Sequence, residues 1–261
     1  METTRREFLR ALGTSAVVIA LNPLELIASE SRDKISVDGY VHRIPGDRLS
    51  DSFHKDEQRN LWVPVYNKVR DFYSNDFDIK IDLREEQEVN ERKLDRNHVA
   101  VEYTTMDEML NNPRDVLYAF GGQEFMDELE AEIKRAQKAE GWDYKTAEAE
   151  IFSTLKEGTN KTFSGEGGFG SEISHRAWIL PSKTYDRARN DEELVNAYAF
   201  SVTHEIGHVL SLEHPIGSGF FSEYGQHNFM NPTGELKDIF SFNFDIHPDQ
   251  VRQIKQYLRT D

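Results

Sequence analysis

Along this chain, apolar and polar residues alternate in several short runs and recur at helical spacing in others. Residues 35–43 alternate well enough for a strand, ended by Pro45-Gly46. Residues 56–74 place Leu61, Val65, Val69 and Phe72 at helical spacing, and Pro64 puts the start of that helix near itself. Residues 78–83 (Asp-Ile-Lys-Ile-Asp-Leu) form a clean alternating strand, and 98–103 and 115–120 are expected as two more. The charged run 84–96 reads as a solvated loop. Residues 123–159, rich in Glu, Ala and Lys, read as two helices, 124–139 and 144–156, broken at Gly141. A strand is expected over 172–180. Leu194, Tyr198, Val202, Ile206 and Leu210 then recur every fourth residue, giving a helix with an apolar stripe for the core. Ser201, His204, Glu205 and His208 occupy another face, which that pattern offers to a cleft. Asp191, Glu192 and Glu193 suit the positive N-terminus of this helix. Pro248 opens a last helix with Val251, Ile254 and Leu258 on one face. The mixture of elements predicts an α+β fold.

The chemistry is concentrated in His204-Glu205-Ile206-Gly207-His208-Val209-Leu210-Ser211-Leu212-Glu213-His214. His204 and His208 are one helical turn apart, so both imidazoles can point at one Zn²⁺. Glu205, the next residue round, is close enough to act as a base on water activated by the metal. His214 is too far along to share that face, but a turn of the chain near Ser211 would swing it back as a third nitrogen ligand. Three neutral nitrogens leave a fourth position open, the arrangement of catalytic rather than structural zinc sites. Two rivals stand beside this reading. One uses an acid such as Glu223 or Glu235 as third ligand, as a gluzincin-like protease would. The other is an exported zinc-binding or partner-binding module without turnover.

The run resembles the zinc signature of the metzincin metalloproteases, H-E-x-x-H-x-x-G-x-x-H, and is most similar to matrixins and their prokaryotic relatives. Asn228-Phe229-Met230-Asn231-Pro232 resembles their Met-turn. The resemblance implies a zinc-dependent endopeptidase acting on peptides or proteins. It implies a twisted, mostly parallel sheet with an antiparallel edge strand within 161–179, an active-site helix, and a small C-terminal subdomain ending in a helix. Met230 would be a hydrophobic floor beneath the metal, the loops 215–227 and 233–246 would wall the specificity pocket, and 123–159 would be an insertion. Two departures stand out. The family's glycine is Ser211 here, at a position that takes a positive φ, which costs a non-glycine residue about 1 kcal/mol or more. Pro232 stands two residues after Met230, where some metzincins carry a tyrosine ligand, so no tyrosine ligand is assigned.

Composition narrows the setting. The chain has 261 residues, a formal net charge of −16 and no cysteine. That charge disfavours nucleic acid and anionic membranes as partners. The missing cysteine excludes disulfides, thiolate zinc sites, a lipoprotein anchor and a cysteine-based latency switch. Residues 1–28 resemble a twin-arginine export signal, with Arg5-Arg6, Phe8 and Leu9 followed by a moderately apolar run too broken to span a membrane. The expectation is a catalytic domain over 29–261, exported to the cell envelope or outside, acting as a monomer with no stable membrane insertion once the signal is removed. Gly165–Gly170 matches G-x-G-x-x-G, but no buried strand precedes it and no helix follows, so a dinucleotide site is rejected. His175 has no partners at ligand spacing and reads as an ordinary surface or core histidine.

Overall fold

In the computed structural model the fold lies within Asp33–Asp261, the larger of two units into which the chain divides. It is described at residues 32–55, 60–85, 95–111, 113–162, 168–182, 185–216, 222–231 and 236–260. The signal read in 1–28, most of the charged run 84–96 and the first half of the glycine-rich run lie outside these residues.

The chain opens with β1 (Lys34–Val41), α1 (Arg48–Lys55), α2 (Trp62–Tyr73), β2 (Asp78–Glu85) and β3 (His98–Tyr103). It continues through α3 (Met106–Met109), α4 (Pro113–Glu140), α5 (Tyr144–Thr162), β4 (Gly168–Ser171) and β5 (Arg176–Ile179). A 3-10 turn (Tyr185–Arg187), α6 (Asp191–Val209), α7 (Leu236–Ser241) and α8 (Pro248–Arg259) complete it. The five strands make one sheet in the order β2-β1-β3-β5-β4. All neighbours are parallel except β4, which runs antiparallel to β5 at the edge. Among the described residues no helix is long and apolar enough to cross a membrane.

Alternation along the strands sorts side chains to two faces. Ala177 and Ile179 join Ile35, Val37, Val99 and Val101 under α2 and α6, in the main core. Trp178, Leu180 and Phe169 point the other way and pack against Met109, Leu110, Val116 and Ala119. Helix α2 starts at Trp62, whose N–H donates to the Asn60 side chain at 2.9 Å, and Pro64 is tolerated in the first turn.

Residues 115–120, expected as a strand, belong to α4. Pro113 is the first residue of that helix, where its missing N–H costs nothing. Val116 and Ala119 face the sheet while Leu117 joins Leu129, Ile133 and Ala147 in a separate small core. A helix buried on two sides gives the continuous apolar run that a strand also gives. Gly122 (φ 58°, ψ −147°) then folds α4 back on itself. Arg114 can therefore reach Glu130 and Glu148, both at 2.8 Å. The break at Gly141 lies where the sequence places it, and α4 and α5 pair as a helical hairpin. The strand expected over 172–180 occupies only its second half, because Glu172–His175 form the turn of the β4–β5 hairpin. The short α1, α3 and α7 have no counterpart in the sequence reading.

Asn190 caps α6 by accepting the Glu193 N–H at 2.9 Å, and the three acids fill the first turn as expected. The polar face of this helix is not open along its length. Asn196, Ser201 and Thr203 are buried with the apolar stripe, so solvent reaches the helix at Asp191 and Glu192 in its first turn and at His208 near its C-terminal end. Helix α8 is tied down at both ends. His247 and Gln250 form a capping box at its start, and Arg259 pairs with both carboxylate oxygens of Asp33 at 3.0 and 2.8 Å.

Candidate active site

Helix α6 ends in a hydrogen-bonded reversal. Leu212 N–H donates to the Gly207 carbonyl at 2.9 Å and Ser211 N–H to the His208 carbonyl at 3.0 Å, the pattern of a Schellman motif. Ser211 sits at its left-handed position with φ 66°, where glycine is the unstrained residue. The turn carries the chain back over the helix end and brings His214 to His204 and His208.

The three Nε2 atoms form a nearly equilateral triangle: 3.2 Å between His204 and His208, and 3.1 Å from each to His214. The other ring nitrogen of each helical histidine faces a carbonyl. His204 Nδ1 lies 2.7 Å from Phe229 O and His208 Nδ1 lies 2.8 Å from Leu212 O. A carbonyl only accepts, so Nδ1 carries the proton and Nε2 presents a lone pair to the triangle. Burial, then the neighbouring His208, holds the His204 pKa well below the ordinary imidazole value. Burial, then His214, pushes His208 down to about 4, and burial lowers His214. Converging neutral lone pairs repel unless a cation lies among them. A tetrahedral ion with bonds of about 2.0–2.1 Å holds its ligand nitrogens about 3.3 Å apart, so the observed edges fit zinc. Among the described residues this is the sole cluster of three or more His, Cys, Asp or Glu with converging ligand atoms. Exposure rises from buried His204 through His208 to exposed His214, which opens the cluster on the His214 side.

Glu205 is 7% exposed and faces the edge strand. A Cβ on Gly168 would fall 2.9 Å from Glu205 Cγ and 3.2 Å from its Oε1. A Cβ on Gly170 would fall 2.3 Å from the Glu205 carbonyl and 2.8 Å from His208 Cβ. These two glycines let β4 lie directly on the last turns of α6. Their role is missing from the sequence reading, which only rejects a dinucleotide site at this glycine run. The signal was present in the two-residue spacing of Gly168 and Gly170 around the apolar Phe169. One helical turn before Glu205, Ser201 is hydrogen-bonded to the buried hydroxyl of Tyr185, whose pKa burial pushes up to about 12, with the Glu205 charge contributing.

Met230 and Phe229 are fully buried beneath the helix. A Cβ on Gly207 would fall 2.4 Å from Met230 Sδ, so glycine is required there for the turn to approach. Asn228 shapes this turn: its Oδ1 accepts the Met230 N–H at 3.0 Å and its carbonyl accepts the Asn231 N–H at 3.1 Å. Pro232 lies outside the described residues. Of the rival third ligands, Glu223 is exposed and takes no part in the cluster, and Glu235 lies outside the described residues. Glu213 is on the surface. His175 has φ 53° and its Nδ1 lies 3.1 Å from the Tyr257 hydroxyl, away from the cluster.

No protein-family model matches the chain, and no curated protein matches it. Among solved structures, a zinc-dependent peptidase from Methanocorpusculum labreanum is similar at a TM-score of 0.39 and 11% identity, covering 84% of this chain and 99% of that one. A likeness of that size transfers neither fold nor chemistry.

Proposed function

We propose that this chain is a zinc-dependent endopeptidase, with His204, His208 and His214 as ligands and Glu205 as general base. One observation carries the reading: three Nε2 lone pairs converge at 3.1–3.2 Å, two of them fixed in that tautomer by main-chain carbonyls. Bound there, zinc supplies a Lewis acid that acidifies water and polarises a peptide carbonyl. Glu205 accepts the proton at its carboxylate and returns it to the leaving amine. Its burial against β4 keeps it from wandering into solvent. His214, the exposed ligand, faces the side from which an extended peptide would enter. Met230 and the packed stripe of α6 keep the ligands from shifting.

The finer reading rests on sequence motifs. It is a matrixin-like metzincin, exported by the twin-arginine route to the envelope or outside, acting as a monomer on peptide or protein substrates.

The test is cleavage of an unfolded protein by the zinc-loaded chain, beside Glu205→Gln. Cleavage by the wild type, lost in the variant while both hold one zinc per chain, supports the reading. Equal zinc with no cleavage by either supports a binding module instead. Zinc retained in His214→Ala would overturn the three-histidine site.

A further inference from the structure

We infer that the C-terminal helix α8 positions the metal ligands, through Gln250 to one side of the site and Gln253 to the other. This rests on the metal-site reading above.

Gln250 is 1% exposed and Asn228 is fully buried, yet neither packs as a hydrophobe would. Their amides exchange two hydrogen bonds: Asn228 Nδ2 donates to Gln250 Oε1 at 2.7 Å, and Gln250 Nε2 donates to Asn228 Oδ1 at 3.1 Å. Each oxygen takes a second, main-chain donor. Gln250 Oε1 accepts the His247 N–H at 3.0 Å, and Asn228 Oδ1 accepts the Met230 N–H at 3.0 Å. A buried amide left unpaired is costly, so this four-bond node has one geometry, unlike apolar packing that tolerates sliding. The node fixes Asn228 and Met230, the residues on either side of Phe229. The Phe229 N–H is itself held by the Asp245 carbonyl at 3.1 Å. The Phe229 carbonyl receives His204 Nδ1. Gln250 therefore reaches His204 through an unbroken series of hydrogen bonds and one turn of backbone.

Three residues on, Gln253 lies on the same side of α8. Its Nε2 donates to the Ser211 carbonyl at 2.6 Å. Ser211 holds the left-handed position between His208 and His214, and the next carbonyl, Leu212, receives His208 Nδ1. One side of one helix thus grips both turns whose carbonyls orient the ligands. Val251 and Ile254 do the packing of α8 into the core, so the two glutamines are not needed for that. The clamps at the two ends of α8 keep the bracket rigid.

The experiment uses the full chain and three readouts: zinc affinity by chelator competition, the visible spectrum of the Co(II)-substituted protein, and melting of the metal-free form. Gln253 is at the surface, so Gln253→Ala should fold and melt close to wild type without metal. Its zinc affinity should nevertheless fall several-fold, with shifted cobalt bands. Gln250→Ala, and the nearly isosteric Gln250→Glu, should lose about 10–100-fold in zinc affinity, the range for groups that orient ligands from outside the coordination shell. If Gln250→Ala fails to fold, Gln253→Ala still decides. Wild-type affinity and an unchanged cobalt spectrum in Gln253→Ala would overturn the inference while leaving the metal site standing. A wild-type chain that binds no zinc would overturn the metal site itself, and the inference with it.

Discussion

A Cβ built on Gly207 falls 2.4 Å from the sulfur of Met230 and 2.9 Å from the Phe229 ring. The site helix and the turn below it touch through a residue that has no side chain. Gly207→Ala must push them apart, at a cost of about 1–3 kcal/mol for overpacking. It also draws the Phe229 carbonyl away from His204. A lower melting temperature and weaker zinc binding are expected together. Met230→Ala leaves a cavity instead, costing about 2–5 kcal/mol. Because each change relieves the other, the double variant should lose less than the sum. Additive losses would show that the two residues do not press on one another.

Removing the metal should destabilise the fold, because the three imidazoles are held facing each other by backbone that remains after the ion has left. Ligand linkage sets the scale: free zinc a thousandfold above its dissociation constant adds about 4 kcal/mol. Chelator should lower the melting temperature and zinc should restore it. The rival with an acidic third ligand requires Glu223→Ala or Glu235→Ala to lose zinc and His214→Ala to keep it. The three-histidine geometry requires the reverse.

Ser211→Gly should stabilise the chain. Relief of the left-handed backbone is worth about 1 kcal/mol, partly offset by the greater freedom of glycine in the unfolded chain. A net gain of about 0.5 kcal/mol in denaturant melts is expected, with Ser211→Val destabilising in the same assay. A loss of stability in the glycine variant would contradict the φ of 66°.

The metal-free protein should weaken as pH falls. His208 is pushed down to about 4 by burial and its neighbour, from an ordinary value of 6.5. Above pH 6.5 it is neutral folded and unfolded, so it contributes no pH dependence. Between 6.5 and about 4 the unfolded chain binds the proton and the folded chain does not, so stability falls as pH drops through that window and then levels. The loss from His208 alone is on the order of 3 kcal/mol. Metal-free melts of wild type and His208→Ala, compared at pH 7.5 and 5, isolate it. The wild type should lose more.

Gly168→Ala tests the edge strand. Its methyl would lie 2.7 Å from the Trp178 carbonyl and 2.9 Å from Glu205 Cγ. The main-chain carbonyl can give little, so the Glu205 side chain must move. Cleavage should drop at least tenfold while zinc stays bound, the order of effect of a small misplacement of a reacting group. Full activity would mean that Glu205 is not the base or is not held there.

The converging histidines were legible because their placement is local. A four-residue spacing puts His204 and His208 on one face, and a cap motif at Ser211 returns His214. The strands β1, β2 and β3 were legible by alternation, and α8 by Pro248 and its apolar stripe. What escaped depends on partners distant in sequence. Val116 and Leu117 face two different cores, and that makes a helix look like a strand. Gly168 and Gly170 look like loop residues until α6 is laid against them. The burial of Ser201 and Thr203 follows from how tightly neighbouring elements surround the helix, which polarity along the chain does not reveal.

The groups that orient His204 and His208 are the carbonyls of Phe229 and Leu212, which belong to the main chain. Every amino acid carries that group, so no point substitution can delete either acceptor; it can only displace it. Orientation of the two imidazoles is therefore inherited from the shape of two turns rather than from residue identity at 212 and 229. What constrains Leu212 and Phe229 is the core that their buried side chains fill, not the histidines that their carbonyls face. Selection for that orientation should instead bear on Gly207, Asn228 and the residue at 211, which set the path of the turns.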